Sequence, residues 1–64
     1  MHSVINENGK YICCEPYNMI LAAVYKGKSK CEIAGYTIHI LSHETDKEGN
    51  TITRVKVEKM EALS

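Results

Sequence analysis

The chain has 64 residues and balances eight basic against eight acidic side chains, a formal net charge of zero with His neutral. That balance excludes the strongly acidic field of a nucleic-acid mimic and the strongly basic field of a general nucleic-acid binder. Hydrophobic residues make up 44% of the sequence, but Phe and Trp are absent, so a single small domain spanning 1–64 must build a thin core from aliphatic side chains, Met and Tyr.

A homodimer that hides a further apolar face is expected for so thin a core. The three cysteines cannot all pair within one chain, which points to a reducing, cytoplasmic setting. The opening "MHSVINENGK" has no basic stretch followed by an apolar run, so no signal peptide is read there. "MILAAVY", the longest apolar run, is far too short to span a bilayer, and no membrane association is expected.

Taken in chain order, "HSVINENGKYICCE" reads as a β-hairpin, because Asn8 and Gly9 are a favoured pair for a tight two-residue turn. That loop sets Ile5 opposite Ile12, Val4 opposite Cys13 and Ser3 opposite Cys14. One face then carries Ile5, Ile12 and Cys14, and the other carries Val4, Tyr11 and Cys13.

Residues 16 to 26, "PYNMILAAVYK", predict a short helix: Pro16 suits the first turn, Gly27 suits the position past the end, and Tyr17, Ile20, Leu21 and Val24 share one face. The rival is a strand over 18–26 turning at "KGKS" into a strand over 29–34, which would make the protein all-β. "KCEIAG" is read as a further short strand, with Ala34 and Gly35 permitting a bulge or a sharp bend.

"YTIHILSHE" and "TITRVKVEKM" form a second hairpin around a four-residue loop, Asp46 to Gly49. Its register sets Ile38 opposite Val57 and Ile40 opposite Val55 on a core face. Thr37 with Glu58, His39 with Lys56, Leu41 with Arg54 and His43 with Ile52 make the solvated face. "VEKMEALS" carries the last strand outward, free to fray or to add to a partner's sheet edge. The fold class is α+β, a small antiparallel β-sheet built from two hairpins with one short helix. The alternative is an all-β, SH3-like small barrel.

Chemistry-bearing residues are few. Cys13, Cys14, Cys31, His39 and His43 lack the close ligand pairs of a zinc site, and adjacent cysteines on a strand point to opposite faces. Histidines four apart on a strand lie about 13 Å apart. The cysteines are therefore read as small apolar residues, and no metal site and no cofactor are expected. Cys14, two residues before Pro16, lies close enough to a helix start for its thiol pKa to be lowered, yet no nucleophile motif surrounds it and no catalytic residue is assigned.

These eliminations leave a small, non-enzymatic accessory or regulatory protein that binds a macromolecular partner, foremost a protein, in the manner of a phage- or bacterial-type inhibitor or regulator. Tyr11, Tyr25 and Tyr36 are its candidate anchors, since Tyr is favoured at interfaces. The competing reading is a small nucleic-acid-binding regulator using Lys26, Lys28, Lys30, Arg54 and Lys56 on phosphates, with a tyrosine to stack on a base.

Overall fold

A computed structural model of the chain describes residues 1–59. Four strands and one helix follow in the order β1 (His2–Ile5), α1 (Cys14–Tyr25), β2 (Lys30–Ile33), β3 (Tyr36–Thr45) and β4 (Thr51–Lys59). The strands form one sheet in the order β1-β4-β3-β2. β2–β3 and β3–β4 are antiparallel, but β1 runs parallel to β4, with Val4 beside Thr53 and Ile5 beside Arg54. The sheet is therefore mixed, covered on one face by α1, and the protein is α+β rather than an all-β barrel. The expectation for the chain end falls partly on residues 60–64, outside the described residues.

The first hairpin is shorter than its sequence predicts. Only one bridge, Ile5 with Tyr11, joins its arms, and Ile12 N–H donates to the Val4 carbonyl at 2.8 Å. The loop spans Glu7 to Gly9 rather than two residues, because the Asn6 side-chain oxygen accepts from the amides of Asn8 and Lys10. An Asx turn of this kind replaces the tight turn, and only Gly9, at φ +79°, needs the left-handed region. The change of one residue regroups the side chains: Val4 joins Ile12 on the core side, while Ile5 lies with exposed Tyr11. With so little pairing to the returning arm, β1 is held chiefly by β4.

The tip of the second hairpin repeats the device. Asp46 accepts from the amides of Glu48 and Asn50 through its carboxylate, and Asp46 N–H donates to the Asn50 carbonyl at 2.9 Å. Its loop is therefore Lys47 to Gly49, three residues where four were predicted. The predicted pairs Thr37–Glu58, Ile38–Val57, His39–Lys56 and Ile40–Val55 are all present. Beyond them a bulge at Leu41 absorbs the extra residue, so Ser42 pairs with Arg54 and His43 with Thr53. The predicted pairs Leu41–Arg54 and His43–Ile52 do not form, and His43 moves to the helix side of the sheet.

Helix α1 starts two residues before the predicted Pro16 and ends one earlier than predicted, at Tyr25. Its last turn closes as anticipated at Gly27, φ +72°: Gly27 N–H donates to the Val24 carbonyl and Lys28 N–H to that of Ala23, the paired bonds of a Schellman motif. Ile20 is fully buried against Val4, Ile38 and Val55, with Tyr17, Leu21 and Val24 packed around them. That is the predicted helix face, laid on the inner face of the sheet.

Between β2 and β3 the predicted sharp bend is a two-residue turn with both central residues left-handed, Ala34 at φ +46° and Gly35 at φ +83°. Alanine has no side-chain group to favour that conformation, whereas Asn does. Ala34→Asn is therefore expected to raise stability by about 1 kcal/mol, read as a higher urea midpoint at unchanged m-value.

Candidate functional site

The inner face of the sheet and the helix leave an apolar hollow at one end of the molecule, about 360 Å³, walled by Ile12, Pro16, Ile33, Tyr36, Ile38 and Val57. Each wall has a local cause. Pro16 lies within the first turn of α1, Ile33 and Tyr36 flank the left-handed turn, and Ile38 and Val57 are paired neighbours on β3 and β4.

The hollow adjoins an open strand edge. On β4, β1 reaches only Thr51–Arg54, so among the described residues Val55–Lys59 has no strand on the side away from β3. There the Val57 N–H donates to a carboxylate oxygen of Glu7 at 3.1 Å. The carboxylate stands where a neighbouring strand's carbonyl would stand and partly shields the edge.

A second cluster lies towards the other end of the sheet. Thr53 is fully buried, and its hydroxyl meets His2 Nε2 at 3.0 Å and His43 Nδ1 at 2.9 Å. The two imidazoles are 5.5 Å apart at their centroids. Tyr17 donates its hydroxyl to the His2 carbonyl at 3.0 Å and stands edge-on to the His2 ring. A threonine hydroxyl has one proton and two lone pairs, so it donates to at most one of the two imidazoles and accepts from the other or from both, according to their tautomers.

His2 titrates below the usual imidazole value, first through burial, then through the charge of His43 and then through that of the N-terminus. Because the Thr53 hydroxyl has no exposed surface, it cannot meet a substrate. The arrangement fastens β1 to β4, β3 and α1.

The predicted anchors do not converge. Tyr36, 43% exposed, lies at the apolar hollow. Tyr25, 87% exposed, stands at the far end of α1 near His2, His43 and Thr51, while Tyr11, 75% exposed, lies beside Ile5.

The basic residues divide into two groups sharing Lys30. Lys26, Lys28 and Lys30 surround a shallow hollow with Met19 and Glu32. On the helix-free face, Lys30 pairs with His39 and His39 with Lys56, a row crossing three strands with Arg54 two residues from its end. Acidic groups interrupt this face: Glu58 meets His39 Nε2 at 3.3 Å, and Glu32 lies two residues from Lys30 on the same strand.

His39 and His43, expected on one face, are separated onto opposite faces by the bulge. Among the described residues no group of three or more His, Cys, Asp or Glu could hold a metal ion.

The cysteine assignment changes. Cys13 and Cys14 are both exposed rather than buried, and only Cys31 is partly covered. Cys14 opens the helix at φ +68°, which ends the strand alternation and turns both thiols to one side, their sulfurs 2.9 Å apart. The Cys14 thiol titrates above the usual value, first because it hydrogen-bonds to Cys13, then through the charge of Cys13 and then through desolvation. The lowering expected from the helix start does not occur. Burial raises the Cys31 thiol.

The residues that sequence reasoning missed are Ile12, Pro16, Ile33 and Val57 as the walls of one hollow, Glu7 as an edge cap, and Thr53 between two histidines. Thr53 was accessible in principle, since it falls in alternation with Val55 and Val57. The chain matches no family model, no curated protein and no solved structure at a significant level. No helix among the described residues is long and apolar enough to cross a membrane.

Proposed function

We propose that this is a small, non-enzymatic, cytoplasmic regulatory or inhibitory protein of the phage or bacterial type, which acts by binding another protein and is itself a homodimer. The observation that carries this reading is the apolar hollow beside the unpaired half of β4. An extended segment of a partner adds its backbone to Val55–Lys59, displaces the Glu7 carboxylate from the Val57 amide, and sets an apolar side chain against Tyr36 and Ile33. Backbone hydrogen bonds then supply affinity, and the hollow supplies selectivity.

Affinity capture from the native host tests it. The protein is expected to recover a specific partner that Tyr36→Glu loses, while a variant with Lys28, Lys30 and Lys56 all changed to Gln keeps it. Capture that depends on those lysines and disappears on nuclease treatment would instead establish the nucleic-acid reading. That reading draws on the Lys30–His39–Lys56 row and predicts binding that weakens steeply with salt.

The dimer is supported by the small core, in which Val4, Ile20, Ala23, Ile38 and Val55 are the buried hydrophobic residues among those described, and by Leu41, which the bulge leaves 60% exposed. Sedimentation equilibrium at micromolar concentration is expected to give twice the chain mass, and a folded monomer there would refute self-association.

A further inference from the structure

Two thiols in this molecule serve neither its core nor its helix cap. Cys13 and Cys14 are exposed, and Cys13, at the N-cap position of α1, makes no side-chain capping bond. Consecutive residues of a strand point to opposite faces and could not share a ligand. Cys14 escapes that restriction through its left-handed backbone, φ +68°, and the sulfurs stand 2.9 Å apart. The segment is anchored on both sides, by Ile12 N–H on the Val4 carbonyl and by the Tyr17 hydroxyl on the His2 carbonyl. The dithiol is therefore largely arranged before anything binds, which removes part of the ordering cost of chelation.

We propose that Cys13 and Cys14 form a vicinal dithiol site that chelates a single bent, trivalent thiophilic centre of the arsenic(III) type. Geometry selects this class. A centre bound at about 2.3 Å with a tetrahedral angle sets two sulfurs roughly 3.8 Å apart, whereas a linear two-coordinate ion needs about 4.6 Å. The observed 2.9 Å opens to the first value with less motion than to the second. A closed tetrahedral zinc site needs four ligands, and among the described residues no group of even three His, Cys, Asp or Glu is available. A centre that brings its own third substituent matches the two sulfurs present, and soft ligands select soft acceptors.

With phenylarsine oxide as the probe the step balances without an oxidant. Two As–S bonds form, two S–H bonds break, and the oxygen of the arsenic–oxygen bond leaves as water with the two thiol protons. One equivalent added to the reduced protein is expected to give a single adduct by intact mass, heavier by the arsenical less one water, in both the native protein and Cys31→Ser.

Titration with a monothiol then reads bidentate holding. About 10²-fold more monothiol should be needed to strip the native protein than to strip Cys13→Ser or Cys14→Ser, as expected when the second bond is intramolecular. Circular dichroism of the two variants should match the native spectrum, because both side chains lie on the surface. Stripping of the native protein at the same monothiol concentration as the single-cysteine variants would overturn the proposal. Loss of the adduct in Cys31→Ser would do so as well.

Discussion

Ile20→Ala is expected to cost about 3 kcal/mol of folding stability, a large part of the roughly 3–10 kcal/mol available to a chain of this length. Ile20 has no exposed surface and touches the buried Val4, Ile38 and Val55, one from each of three strands. It is the fully buried helix residue of the cluster in which α1 meets β1, β3 and β4. Removing its outer carbons forfeits their transfer energy and leaves a cavity that a core of so few residues cannot fill by shifting neighbours. Urea denaturation followed by circular dichroism checks the value. A loss below about 1 kcal/mol would mean that α1 is not the principal cover of the sheet.

Thr53→Val is expected to destabilise by about 1–2 kcal/mol, although it preserves shape and exchanges a polar buried group for an apolar one. The reason is that the hydroxyl is shared: its loss leaves His2 Nε2 and His43 Nδ1 both without their partner. Those rings are only partly covered and can recover some hydration, which keeps the effect moderate. If Thr53→Val raised stability, the two histidines would not depend on the hydroxyl.

The same cluster sets a pH dependence. The folded His2 titrates below its ordinary value near 6.5, so as the pH falls the unfolded chain binds its proton first. Stability from neutral His2 is full above that ordinary value and is lost as the pH drops through the lower folded one. His43→Gln removes one of the charges that hold His2 down, and a shallower fall of the urea midpoint over that acidic window is expected.

The elements whose pattern repeats locally were legible in the sequence. The Tyr17, Ile20, Leu21, Val24 stripe and Gly27 define the helix and its end, and the Ile38–Val57 and Ile40–Val55 pairs define the central register. What could not be read depends on one-residue choices made by side-chain hydrogen bonds or by packing at a distance. Asn6 and Asp46 each convert a turn into a three-residue loop by accepting two backbone amides. Nothing in "HILSHE" marks Leu41 as the bulged residue, because the bulge is the sum of that loop and the Ile40–Val55 pair.

The parallel pairing of β1 with β4 joins segments about 50 residues apart and leaves no trace in local periodicity. The candidate hollow was illegible for the same reason: its walls come from five separate segments, and of the predicted anchors Tyr36 alone lies there. The cysteine pair was misread because strand alternation was carried one residue too far, past the point where Cys14 turns left-handed.

Hydrogen exchange of the protein with and without its captured partner tests the central claim most directly. The partner is expected to slow exchange at the Val57 and Lys59 amides and around Ile33 to Tyr36, where strand addition and the filled hollow would shield the backbone. Protection confined instead to Lys28–Lys30, His39 and Arg54–Lys56, with β4 beyond Lys56 and the Ile33–Tyr36 turn unchanged, would contradict it.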